Sequence, residues 1–252
     1  MSSIAANLQQ IHSRIADACA RAHRSPAEVA LMAVSKMHPA SVILEAHAAG
    51  QRLFGENRVQ EWQAKFASLA DPSSFAKLSS DFAPLASKAL PNPATDIEVH
   101  LIGPLQNNKT TKAAELFHAV DTLDSLKTAE RLNAAAAPLH KTLPVLIEVK
   151  LSPEETKHGL APSEIPALLA ALTPLAHLRV SGLMTVPPWS EDPETARPYF
   201  QHLRRLRDEN IDAHPTLTQL SMGMSNDFAV AIEEGSTTVR IGTAIFGKRA
   251  YT

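Results

Sequence analysis

The sequence predicts an α/β protein of one domain, a (β/α)8 TIM-type barrel with an extra N-terminal helix, and three observations carry that reading. Eight short runs of apolar and β-branched residues recur along the 252-residue chain, and nearly every one is followed by a helical pattern. Strands that alternate with helices imply parallel pairing through right-handed crossovers, and eight such units in about 250 residues suit a closed barrel. No G-x-G-x-x-G follows any of the runs, which weakens the alternative, a doubly wound open sheet.

In chain order, Ile4, Leu8, Ile11, Ile15 and Cys19 recur at spacings of three and four, the period of an amphipathic helix. Ser25-Pro26-Ala27-Glu28 has capping-box spacing with proline at the first helical position. A strand over 31–35 leads to Lys36, and Pro39 opens a helix that Gly50 closes. A second strand spans 52–57 and a helix 59–69. Strands then follow at 97–102, 119–123, 143–149, 178–184, 218–221 and 238–241. Helical patterns follow the first five of these six later strands at about 107–117, from Leu126 through Leu132, at 163–172, 193–209 and 226–234. Residues 71–96 break the rhythm. Pro72, Pro84, Pro91 and Pro93 oppose one continuous helix, so this stretch reads as a surface insertion with room for one or two helical turns.

Composition narrows the function. Lys and Arg total 24 against 26 Asp and Glu, a formal net charge of -2, and with no basic block nucleic acid is not an expected partner. One cysteine, Cys19, excludes an internal disulfide framework and a cysteine-rich metal site; on the apolar face of the first helix it is expected to be a buried thiol. Residues 1–7 lack the apolar core of a signal peptide, and no stretch is apolar enough to span a bilayer. A soluble cytoplasmic protein is expected.

In a barrel every strand's C-terminal tip faces one mouth, where ligands bind. Lys36 stands at such a tip, where it is a solvated lysine, an anion clamp or a Schiff-base amine. The loop after the seventh strand, Ser221-Met222-Gly223-Met224-Ser225, is a Ser/Gly turn entering a helix, with Ser225 the expected cap. After the eighth strand, Gly242 admits close backbone approach beside Thr243. Either loop alone is an ordinary cap or turn, but phosphate sites in barrels are built from these two adjacent loops. Lys36, the two loops and Arg240 together suit a ligand with a carbonyl and a phosphate. Pyridoxal 5'-phosphate (PLP) meets that description, and so does the sugar phosphate of a Schiff-base aldolase.

Six segments, taken together, identify a resemblance. Ala33-Val34-Ser35-Lys36, Phe54-Gly55-Glu56-Asn57-Arg58-Val59-Gln60-Glu61, the run from His100 through Gly103-Pro104-Leu105-Gln106 to Lys109, Gly182-Leu183-Met184, Leu220 to Ser225, and Val239 to Gly247 resemble the pyridoxal phosphate homeostasis protein family over residues 4–247, the insertion excepted. The resemblance implies a fold type III PLP-binding barrel, similar to the N-terminal domain of alanine racemase. It implies Lys36 as the Schiff-base lysine, and Ser221, Met222 and Ser225 with Gly242 and Thr243 as phosphate-binding segments. Arg240 matches the arginine facing the pyridine nitrogen, where it weakens the ring as an electron sink. Asn57 lies in a motif near the cofactor, and Lys157 matches a lysine associated with PLP exchange. The chain departs from the family at Val149-Lys150, where Val-Asn is usual, and in the longer 71–96 insertion.

The resemblance also separates carrier from enzyme. A racemase of this fold needs a second acid/base opposite the lysine. Related racemases carry a tyrosine four residues after their lysine, where this chain has Ala40, and take another from a C-terminal β-domain that is not expected here. Only Tyr199 and Tyr251 are present. The expected protein is a PLP carrier without catalysis, acting in PLP storage, protection or delivery. PLP-dependent apoenzymes are the expected recipients and a monomer the expected state; a racemase-like enzyme is the alternative, and a Schiff-base aldolase ranks below it.

Overall fold

The computed structural model describes residues 3–71, 93–152 and 158–247. Eight parallel strands, β1 (Ala30–Val34), β2 (Leu53–Glu56), β3 (Glu98–Leu101), β4 (Ala119–Leu123), β5 (Leu143–Glu148), β6 (Leu178–Met184), β7 (Gln219–Ser221) and β8 (Thr238–Ile241), pair in sequence order into a closed barrel. The apolar runs form strands because both faces are covered, by the barrel interior on one side and helices on the other. All five residues of β4 are buried. Three predicted strands have the observed bounds, and the others differ by one or two residues at their ends.

Closure runs through β1 and β8, with Ala30 opposite Thr238 and Ala33 opposite Ile241. This register sets Lys36, just past β1, beside Gly242 and Thr243, just past β8. The extra helix α1 (Ile4–Arg21) buries Ile4, Leu8, Ile11, Ile15 and Cys19, as its periodicity predicts. It packs over α2 (Ala40–Ala48), the helix Phe228–Glu233 and the last turn Thr243–Phe246. There the Asn7 side-chain amide donates to the Ile245 carbonyl at 2.8 Å, tying the start of the chain to the closing seam.

The capping box at Ser25 forms as its spacing predicts, with the Ser25 N–H donating to Glu28 Oε1 at 2.9 Å. In α3 (Val59–Ala70), Trp62 is fully buried and its indole N–H donates to the Leu116 carbonyl at 2.9 Å, satisfying the one polar atom of that ring. One expected cap is corrected. The helix after β7 begins at Phe228, with Asp227 and not Ser225 at its N-cap position. The Asp227 carboxylate accepts from the Met224 N–H at 2.6 Å, so aspartate closes the turn expected of the serine. Most of the 71–96 insertion, and Lys157, lie outside the described residues. No helix among the described residues is long and apolar enough to cross a membrane.

Candidate functional site at the barrel mouth

A cavity of about 440 Å³ opens at the C-terminal ends of the strands. Lys36, Asn57, Ser225, Arg240, Gly242 and Thr243 all line it. The Lys36 ammonium donates to Asn57 Oδ1 at 3.4 Å. Asn57 follows β2 and is admitted there by Gly103 of the neighbouring tip, whose own carbonyl accepts from Thr122 Oγ1 at 2.8 Å.

Arg240 is 5% exposed and rises from β8 into the floor of the cavity. One guanidinium nitrogen donates to Ser221 Oγ at 2.7 Å and another to the Thr185 carbonyl at 2.9 Å. Burial pulls the guanidinium below its ordinary pKa, opposed by Asp121, Glu148 and Asp227; an arginine remains charged under such shifts. The result is a fixed cation whose planar fork is oriented by two tips.

The loop after β7 is fixed to β8, since the Arg240 backbone N–H donates to the Gly223 carbonyl at 2.9 Å. After β7 the first turn bonds run from the Asp227 and Phe228 N–H groups to Met224 O, and after β8 from Ile245 and Phe246 to Gly242 O. The N–H groups of Ser225, Asn226, Thr243 and Ala244 precede those bonds, the position in which amides are left for a ligand. A Cβ on Gly242 would come within 3.1 Å of the Val34 carbonyl, so the glycine lets this tip fit closely against β1.

Ser221 and Met222 are fully buried and do not line the cavity. Ser221 holds Arg240, and the Met222 N–H donates to the Thr238 carbonyl at 3.1 Å within the strand ladder. Lys150 lies in an adjoining hollow of about 200 Å³ with Glu148, Val149, Leu151, Ser152, His158 and Val186.

The cavity also contains residues the sequence did not single out as site residues. Glu148 ends β5, and burial raises its carboxyl above the usual range, partly offset by Arg240 and His158. β5 ends at Glu148, one residue before the predicted Val149, so the tip residue is Glu148 and not Lys150. Alternation counted back along the strand would have paired Glu148 with the mouth. Trp189, 74% exposed, stands at the rim on the loop after β6, and no periodic pattern marks a loop residue in advance.

The cavity therefore offers an amine on one wall, a buried guanidinium on the floor and backbone amides with hydroxyls on two adjacent tips. That donor set fits a ligand bearing an aldehyde, a ring nitrogen and a phosphate. Residues 5–250 match the family model for the alanine racemase N-terminal domain. The pyridoxal phosphate homeostasis protein of Pseudomonas aeruginosa is 44% identical over all of this chain and 98% of its own length. The PipY protein of Synechococcus elongatus, solved with PLP bound, is 36% identical and superposes over 97% of this chain and all of its own with a TM-score of 0.77. Alanine racemase of Bartonella henselae, at 17% identity and a TM-score of 0.64 over 98% of this chain and 58% of that enzyme, shares the fold. The chain belongs to the pyridoxal phosphate homeostasis protein family.

Proposed function

We propose that this protein binds pyridoxal 5'-phosphate at the barrel mouth and serves PLP homeostasis as a carrier that stores, protects or delivers the cofactor. The observation that carries the proposal is the convergence of Lys36, Arg240 and the 224–227 and 242–243 loops on one cavity. Bound PLP would supply an aldehyde and a conjugated ring. Lys36 would hold the aldehyde as a Schiff base, and Ser225, Gly242 and Thr243 would take the phosphate. Arg240, charged and pinned by Ser221 and Thr185, would face the ring nitrogen and disfavour its protonation. Ser221 and Met222 act behind this layer, the first by orienting Arg240 and the second by fixing the start of the loop. Asn57 orients the Lys36 amine, and Lys157 is the proposed aid to PLP exchange.

The carrier reading is supported by the relatives, which are homeostasis proteins by name, and by Tyr199, which lies on the helix Arg197–Asn210 and does not line the cavity. A racemase-like reading draws on one observation, the Glu148 carboxyl inside the cavity with its raised pKa. We assign PLP-dependent apoenzymes as recipients, a monomer as the working state and the cytoplasm as the compartment. PLP-loaded protein incubated with an apoenzyme of PLP-dependent type should restore that enzyme's activity while leaving single-enantiomer amino acids unconverted. Racemisation or transamination by the purified protein overturns the carrier reading.

A further inference from the structure

We infer that Lys65, Glu56 and Glu61 form a positioning device for Lys36, holding both residues that flank it so that its amine is aimed into the cavity; this rests on the proposed role of Lys36. None of the three lines the cavity. Lys65 on α3 is 8% exposed, and its ammonium donates to the Ser35 carbonyl at 2.9 Å, to Glu56 Oε1 at 2.7 Å and to Glu61 Oε1 at 2.7 Å. Ser35 Oγ donates to the same Glu56 oxygen at 2.7 Å. Glu61 Oε1 in turn accepts from the Met37 N–H at 2.5 Å. The residue before Lys36 and the residue after it are thus held by one ammonium–carboxylate cluster.

The backbone shows why such a device is needed. The Ser35 carbonyl also accepts from the His38 N–H at 3.1 Å, closing a four-residue turn with Lys36 inside it. Met37, the third residue of that turn, has φ of +62°, a conformation that side-chain-bearing residues adopt reluctantly. Backbone in that region persists where its surroundings over-determine it, and here the Glu61 carboxylate and the Lys65 ammonium do so. Buried ion clusters of this kind are weak sources of stability, because removing charges from water offsets their mutual attraction. What this cluster gives is geometry: Lys36 leaves the barrel at a fixed angle and not from a mobile loop.

The test compares Glu61→Leu, which deletes the acceptor for Met37, with Glu61→Gln, which keeps an acceptor oxygen. Glu61→Leu should retain the wild-type melting temperature within a few degrees. Its Met37 amide should exchange faster in PLP-free protein, and PLP titrated by visible absorbance should bind about tenfold more weakly, about 1.4 kcal/mol. Glu61→Gln should restore both properties. If Glu61→Leu does not fold, Glu61→Asp, which keeps the charge but falls short of Met37, replaces it with the same expectation. Unchanged Met37 exchange and unchanged PLP affinity in the folded variant overturn the inference. Failure of wild-type protein to bind PLP would instead overturn the proposed function, whatever the amide exchange shows.

Discussion

Gly103 and Asn57 occupy the same space at the tips of β3 and β2. A Cβ built on Gly103 would stand 2.3 Å from the Asn57 carbonyl oxygen and 2.6 Å from its Oδ1. That Oδ1 is the acceptor for the Lys36 ammonium. The glycine in the His100 to Lys109 motif is therefore a packing requirement of the residue that touches the Lys36 amine. Gly103→Ala should cost about 1–3 kcal/mol by overpacking, read as a lower denaturant midpoint, and should weaken PLP binding through displacement of Asn57. Wild-type stability and affinity in this variant would show that the tip relaxes freely.

Arg240→Gln shortens the side chain and withdraws it from Ser221 Oγ and the Thr185 carbonyl, both fully buried or nearly so. Leaving buried acceptors without donors costs about 1–3 kcal/mol, and relief of guanidinium desolvation returns part of it. The expected net loss is about 1–2 kcal/mol by chemical denaturation. PLP absorbance should shift as well, because the ring nitrogen would lose the cation that opposes its protonation. An unshifted spectrum would place Arg240 away from the ring.

His100 is clamped between two carboxylates, with Nδ1 3.0 Å from Asp121 Oδ1 and Nε2 3.0 Å from Glu98 Oε1. Burial alone would lower its pKa, but Asp121 and Glu98 outweigh burial and push it up to about 10. A folded-state pKa above the unfolded value of about 6.5 means the charged pair stabilises fully below that pH. The contribution then declines as pH rises and is gone above about 10. Wild-type stability should fall between pH 7 and 10.5 in urea titrations, while His100→Gln, already weakened by about 3 kcal/mol through the orphaned Asp121, should fall less. Parallel pH profiles would contradict the clamp.

The chain has two tryptophans, Trp62 buried against Phe117 and Trp189 exposed at the cavity rim. PLP binding should quench fluorescence chiefly through Trp189. Trp189→Phe should bind PLP with near wild-type affinity and lose most of the quenching; full quenching in that variant would place the ligand elsewhere.

Strand count, parallel order and barrel closure were legible because buried parallel strands leave continuous apolar runs, and because Gly50 and Gly235, both at φ of +98°, close their helices where a C-cap glycine should. Lys36 was legible because a charged residue at the end of an apolar run stands out, and Arg240 because a charge inside the apolar run Val239–Ile241 does. The division of labour at the mouth was not. Whether Ser221 meets the ligand or Arg240 depends on a side-chain direction that no spacing encodes, and the N-cap position falls at Asp227 and not Ser225 because the turn before the helix is closed by the Asp227 carboxylate on the Met224 N–H, a contact that spacing alone does not mark. Lys65 reads as an ordinary helix lysine, since its three acceptors come from the turn after β1, from β2 and from α3 and meet only in the folded chain.

The most direct measurement is borohydride reduction of the PLP-loaded protein followed by peptide mapping, with Lys36→Ala in parallel. The wild type should carry one pyridoxyl group on Lys36, and Lys36→Ala should carry none there and lose the visible absorbance of lysine-bound PLP. A label on another lysine in the wild type, or an unchanged visible spectrum in Lys36→Ala, would contradict the assignment of Lys36 as the amine that holds PLP.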